Sequence, residues 1–400
     1  MTALTRSATD RLGADFRGEL ISPGDDGYDA ARKVWNCAID RRPALIARAA
    51  RTGDVVTAVQ FAREQGLPVS IRGGGHSAAG FAVADGALMI DVSGLKEILV
   101  DPAARTAAAG AGLLWRELDM ATQAYGLATT GGVDGTTGIA GLTLGGGIGF
   151  LDRLAGLTCD NLLSAEVVTA DGRVLRTDAD THPDLFWALR GGGGNFGVVT
   201  SFTYRLHAVT EVHGGLLGYT TDRAAEVLQA FREFSADAPD RLALYAGLVT
   251  APSAPLVPEH LRGQRVVGRI PVYFGAAEEA ARALAPLLAA APPVLDLAKP
   301  MSYQEAQRLT DGLNPPGMHR MGADRPSGGS ARLGRRRLRQ LHRRRPGPGP
   351  GARGVRRQLR KAGPDQGRLR PGQLLPHQQQ HPARGPGASA GCGRKLSRDG

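Results

Sequence analysis

The chain has 400 residues, 22% of them charged, and carries a formal net charge of +11. That length exceeds what one hydrophobic core fills, so several domains are expected. Three cysteines (Cys37, Cys159 and Cys392) without a CxxC pair exclude a disulfide framework and a cysteine-rich zinc site. The first 18 residues mix acidic and basic side chains without an apolar run. No later stretch approaches the roughly 20 apolar residues of a membrane span, so the chain reads as soluble and cytoplasmic.

In chain order, Asp54 is placed to cap a helix through VVTAVQFAREQ, with Val55, Val59 and Ala62 on one face and Gly66 past its end. LPVSI at 67–71 is a strand running into Arg72-Gly73-Gly74-Gly75-His76-Ser77. ALMIDVS and EILVDP are strand-length, and LLWRELDMATQAYGL is a helix stopped at Gly126. Residues 129–149, TTGGVDGTTGIAGLTLGGGIG, are too rich in glycine for a helix interior or central strand, which implies close backbone approach. A hairpin turns at Asp171-Gly172, and Thr181 and Pro183 stand at the N-cap and N1 of a helix PDLFWALR. Gly191 to Gly194 end that helix before the strand NFGVVTSFTYRL. From about Val212 the glycine clusters give way to helices such as DRAAEVLQAFREF and AAEEAARALAPLLAAA and a strand RVVGRIPVYF. Such a second domain would shape a substrate cavity against the first.

The clusters Gly73 to Gly75, Gly145 to Gly147 and Gly191 to Gly194 each adjoin a strand or helix end, where bare N–H groups suit a pyrophosphate. Any one of them reads equally well as a tight turn. A dinucleotide fold is considered on Gly73-x-Gly75-x-x-Ala78, but Gly80 and Asp85-Gly86 stand where its long helix is required. His76 is an imidazole in a glycine loop. His182, His207, His213, His260 and His319 read as ordinary surface or core residues, and Cys159 as a buried small residue.

RGGGHS at 72–77, TTGIAGLTLGGGIG at 136–149, GLTCDNLLSAEVVTADG at 156–172 and DLFWALRGGGGNFGVVTSF at 184–202 together resemble the FAD-binding, PCMH-type domain of the vanillyl-alcohol-oxidase superfamily. Bacterial berberine-bridge-enzyme-like proteins are most similar, including PMSYQEAQ at 300–307. The resemblance implies an α+β fold: an N-terminal extension and entry helix (1–36), a two-subdomain FAD-binding domain (37–209, divided near residue 100) and a partial substrate domain (210–320) with an antiparallel sheet. It implies FAD joined covalently to His76. Arg72, Gly73, Gly74, Gly75, Ser77, Thr137, Gly138, Gly141, Leu144, Gly145, Gly146, Gly147 and Gly149 would hold the pyrophosphate and ring. Asp160, Asn161, Asn195, Gly197 and Val198 would line the cofactor. Asp134 falls where doubly linked relatives carry a cysteine, which implies a single link. The implied reaction is hydride transfer from a CH–OH or CH–N group of a small organic substrate, with O2 or another acceptor taking the electrons. No catalytic base and no metal is assigned.

Residues 321–400 hold 20 Lys and Arg against 3 Asp and Glu, include 16 glycines and lack Phe, Trp, Tyr and Ile, so that stretch is expected to be disordered. Codons chosen for residues 357–383 and read one nucleotide later give ANYGRLVRTKAAYDPGNCFRTNNNIPP, the ending such relatives carry, so a shifted reading frame after Arg320 is expected. The alternative reading is a non-catalytic flavin fold with a basic arm for nucleic acid, for which RRRLRQLHRRR would serve.

Overall fold

Leu88–Asp91 is buried along its whole length, as its apolar run without alternation requires of a strand covered on both faces. It pairs in parallel with Leu45–Arg48 on one side and Val69–Arg72 on the other, and Glu19–Ile21 adds an antiparallel edge. The one charge in it, Asp91, is neutralised by Arg48 and Arg72, each 3.2 Å away. These features belong to a computed structural model that describes residues 6–251, 253, 255, 257–313 and 317. Helix Thr52–Glu64 supplies Val55, Ala58, Val59 and Ala62 to the core, a stripe at helical spacing.

A second sheet is antiparallel in the order Ile98–Asp101, Thr106–Gly110, Val198–Arg205, Leu162–Val168, Val174–Asp178. Phe202 and Tyr204 of its central strand stack at 5.8 Å between ring centroids. One continuous hydrophobic core joins both sheets, from Leu45, Val55 and Leu88 to Ala107, Val167 and Phe202. Each large side chain buried there contributes about 1.5–3 kcal/mol. The third sheet, of six antiparallel strands, is organised around Arg265–Phe274, which pairs with Val212–Gly214, Leu217–Thr220 and Leu242–Thr250. Helices Ala224–Ala236 and Ala277–Ala290 pack on it through Val227, Leu284 and Leu287. The mixed α+β reading holds.

Three local expectations are corrected. The first long helix begins at Thr52 with Arg51 as its N-cap, and Asp54 lies inside the first turn. Its buried carboxylate accepts from the backbone N–H groups of Arg17 and Ala50, both at 2.9 Å, so it ties the helix start to two neighbouring segments rather than capping it. Pro183 is at N1 as expected, but the cap is His182, held at φ 50°, and not Thr181. Most important for the site, the glycine-rich run does contain a helix, Ile139–Leu144. Burial of Ile139, Thr143 and Leu144 against the core overrides the low propensity of the single glycine inside it. His319, the frame-shift expectation and the basic arm fall on residues outside those described.

Candidate flavin site

The site is built where glycine lets backbones touch. A Cβ on Gly74 would lie 2.3 Å from Gly138 N, and one on Gly138 would lie 2.3 Å from Gly74 N. The loop 73–77 therefore rests directly on the cap of helix Ile139–Leu144. The segment before that helix is pinned along residues 113–116: Trp115 N donates to Thr137 O at 2.9 Å, Arg116 N to Gly135 O at 3.0 Å, and Ile139 N to Leu113 O at 2.9 Å. The third cluster joins through Gly193 N, which donates to Leu144 O at 2.8 Å. Cys159 N donates to Gly146 O at 2.9 Å and brings Asp160 and Asn161 alongside. These contacts join all three clusters and the 158–161 turn into one continuous set of backbone segments.

The predicted residues divide by what their side chains do. Arg72 turns its guanidinium to Asp91, while its buried Nε has no protein partner. Ser77 accepts from Phe81 N at 3.2 Å. Asn161 is spent within the protein: its Nδ2 donates to Ala155 O and Leu157 O, both at 3.0 Å, and its Oδ1 meets His207 Nε2 at 2.6 Å. Asp160 accepts from Leu157 N and pairs with Arg190 at 3.2 Å. Asn195 donates to Gly192 O at 3.0 Å and shapes its own loop. Leu144 and Val198 are core residues. Gly149 and Gly197 are required by neighbouring backbone, since a Cβ would lie 1.7 Å from Gly131 O and 2.6 Å from Val168 O.

His76 is half-buried with Trp35 stacked on its ring, centroids 5.3 Å apart and planes 22° from parallel. Thr136 Oγ1 lies 2.9 Å from Nε2 and Thr137 Oγ1 lies 3.4 Å from Nδ1. The Thr136 hydroxyl donates to Asp134 Oδ1 at 2.6 Å, and Thr136 N donates to the same oxygen at 2.8 Å. Burial pushes the imidazole pKa below its ordinary value, and the Asp134 carboxylate opposes that shift without cancelling it. A neutral imidazole is therefore the resting form near pH 7. Sequence reasoning missed Trp35 and Thr136 and gave Asp134 no task. Trp35 lies in the string VWN and Thr136 opens TTGIAGLTLGGGIG, but neither string by itself says which side chains meet His76.

Two glycines test whether FAD fits. Gly141 lies inside a helix and Gly194 in the third cluster, yet neither has positive φ and neither would bring a Cβ within 4 Å of any atom. Neither conformation nor packing demands glycine there. Open backbone at these two positions leaves room for an extended ligand, and the residues present fit an FAD pyrophosphate and ring.

A mixed sheet and an antiparallel sheet joined through three glycine clusters suit an FAD-binding flavoprotein, and the FAD binding domain family matches residues 43–178. The uncharacterized FAD-linked oxidoreductase YgaK of Bacillus subtilis is 33% identical over 314 residues, 76% of this chain and 67% of that protein. The chain therefore belongs to the FAD-linked oxidoreductases of the vanillyl-alcohol-oxidase superfamily, alongside berberine-bridge-enzyme-like proteins. (R)-6-hydroxynicotine oxidase of Paenarthrobacter nicotinovorans is 41% identical over 192 residues, 48% of this chain and 42% of that enzyme. The structure of BBE-like 1 from Physcomitrella patens matches with a TM-score of 0.67 at 29% identity, covering 74% of this chain and 62% of the other. The chain thus spans between two fifths and two thirds of the length of these relatives. No helix among the described residues is long and apolar enough to cross a membrane.

Proposed function

We propose that this protein is an FAD-dependent oxidoreductase that removes hydride from a CH–OH or CH–N group of a small organic substrate, with FAD attached through His76 alone. The observation that carries the reading is the imidazole of His76, tethered by the Thr136 hydroxyl beside glycine clusters that leave backbone open at Gly141 and Gly194. Gly73 to Gly75, Gly138, Gly141 and Gly145 to Gly147 would offer bare backbone to the cofactor, and the 158–161 turn would fix the lining from behind. When bound, FAD supplies the hydride acceptor, and dioxygen serves as the terminal acceptor. The chain's own contribution would be to orient the cofactor and keep water from it, tasks for which Trp35, stacked on His76, and the packed core beneath helix Ile139–Leu144 are placed.

Attachment at one site follows from Asp134 in the place of a second anchoring thiol. Of the two described cysteines, Cys37 is half-buried and Cys159 is buried, and burial together with Asp160 pushes the Cys159 thiol up, away from the reactive thiolate. Acid precipitation of the purified yellow protein should leave the flavin with the pellet, and peptide mass spectrometry should find it on His76 and on no cysteine. Anaerobic bleaching of the flavin by a panel of secondary amines, alcohols and oligosaccharides would identify the substrate class. Flavin released wholly into the acid supernatant would defeat the covalent reading, and failure of every C–H donor to bleach bound flavin would defeat the oxidoreductase reading.

A further inference from the structure

We infer that Asp134 and Thr136 form a proton relay that prepares His76 for bonding to the flavin, with Asp134 acting through Thr136. The inference rests on His76 being the attachment residue. It follows from counting protons. A hydroxyl owns one hydrogen, and a carboxylate accepts but does not donate. The Thr136 hydroxyl hydrogen is committed to Asp134 Oδ1 at 2.6 Å. The 2.9 Å contact between Thr136 Oγ1 and His76 Nε2 is then satisfied only if Nε2 carries the imidazole hydrogen and donates it. Nδ1 is left with its lone pair, and the Thr137 hydroxyl stands 3.4 Å from it, a distance at which a hydrogen bond is weak. The relay fixes the tautomer and so selects Nδ1 as the nucleophile.

The same geometry drains the proton that attachment releases. When Nδ1 bonds to the C8 methyl carbon of the flavin, a methyl C–H bond breaks, its proton leaves to solvent and its electron pair passes into the ring. The imidazole would then be cationic. Its Nε2 hydrogen moves to Thr136 Oγ1 as the Thr136 hydrogen moves to Asp134, which restores neutrality beside a half-buried ring. Dioxygen takes the electron pair and two protons as hydrogen peroxide, so the balance is imidazole plus methyl plus O2 giving the linked product and peroxide.

Asp134 is held for this task from outside the glycine lining. Gly135 N donates to Asp311 Oδ1 at 3.0 Å, the Thr310 hydroxyl donates to Val133 O, and Gln307 Nε2 donates to Gly132 O at 3.1 Å. These three anchors, on Gly132, Val133 and Gly135, hold the backbone on both sides of Asp134 and leave its carboxylate little freedom. Asp134 and Thr136 are therefore positioning residues.

The test uses the full-length chain purified as apoprotein from riboflavin-starved cells and mixed with FAD. Total FAD bound and FAD retained after acid denaturation are followed separately. Asp134→Asn keeps an oxygen for both Thr136 donors but is no base, and Thr136→Val keeps shape without the hydroxyl. Both should attach FAD about 100-fold more slowly, the scale of a lost general base, with total binding unchanged. Thr136→Ser should restore the wild-type rate. Wild-type rates in both variants would overturn the relay while leaving His76 as the anchor. Parallel loss of total binding would assign the pair to loop folding and would also overturn it. A wild-type chain that binds FAD without linking it would remove both the relay and the covalent reading.

Discussion

Gly74 and Gly138, 64 positions apart, meet backbone to backbone, each occupying the space where the other's Cβ would stand. This single contact joins the histidine-bearing loop of the parallel sheet to the helix that opens the second glycine run. Nothing flexible lies between them to yield, since the nearest atoms on both sides are main chain. Gly74→Ala and Gly138→Ala should each destabilise the protein by about 1–3 kcal/mol, as overpacking does, and should abolish flavin loading because the lining separates. Thermal melts and the flavin-to-protein absorbance ratio check this; a fully loaded Gly74→Ala protein would show that the contact is dispensable.

Gly141 makes the opposite prediction. It lies in a helix with open space where a Cβ would be. Alanine there should raise the stability of the apoprotein by up to about 1 kcal/mol through helix propensity alone, while weakening FAD binding because the methyl projects into the ligand's path. Stability and affinity moving in opposite directions distinguishes a ligand-facing glycine from a structural one. Titration of apoprotein with FAD, paired with melts without FAD, reads both quantities.

Glycine clusters are statements about the backbone, so the close-approaching segments and the histidine beside them are legible in the sequence itself, at residues 72–77, 136–149 and 191–194. Helix Ile139–Leu144 is not, because its formation depends on burial of Ile139, Thr143 and Leu144 by strands far away in sequence, and local propensity points the other way. The cap at His182 falls one residue past the expected position for a similar reason: threonine is the better cap in isolation, but the turn sets the register. The contact of Thr136 with His76 spans 60 positions and that of Gln307 with Asp119 spans 188. Polar pairs so distant leave no periodic trace along the chain, and only the fold connects them.

The basic segment after Arg320 carries its own expectation, independent of the described residues. Its charge balance reverses there, and codons can be chosen for residues 357–383 so that the frame one nucleotide later spells an aromatic, Asn- and Pro-containing ending. Resequencing the gene should reveal a one-nucleotide shift near the codon for Arg320. Nucleotides that do not encode ANY and YDPGN in the next frame would refute the expectation, whatever the protein's activity.

Asp119 offers a stability test that involves no flavin. It is fully buried on helix Trp115–Gln123 and receives Gln307 Nε2 at 3.2 Å, joining the flavin-binding part to the segment that follows Tyr303–Ala306. Burial pushes its pKa from 3.8 up to about 7, and the Gln307 hydrogen bond recovers only part of that shift. Gln307 Oε1 is itself buried without a donor, and a protonated Asp119 brings a donor into the pair. The native state thus holds a proton that the unfolded chain loses near pH 3.8. The stabilisation is complete below that pH, declines as pH rises through the folded pKa, and is exhausted above about 7, with a slope in between of about 1.4 kcal/mol per pH unit. Asp119→Asn removes this titration and keeps the shape and hydrogen-bonding capacity of the side chain. The difference in unfolding free energy between variant and wild type should therefore grow in favour of the variant from pH 5 to 7 and then level off. The opposing contribution of His76, whose lowered pKa favours folding above its unfolded value, is common to both proteins and drops out of the difference. Urea unfolding at pH 5, 6, 7 and 8 measures it, and two curves that stay parallel across that range would show that Asp119 is ionised throughout in the folded protein.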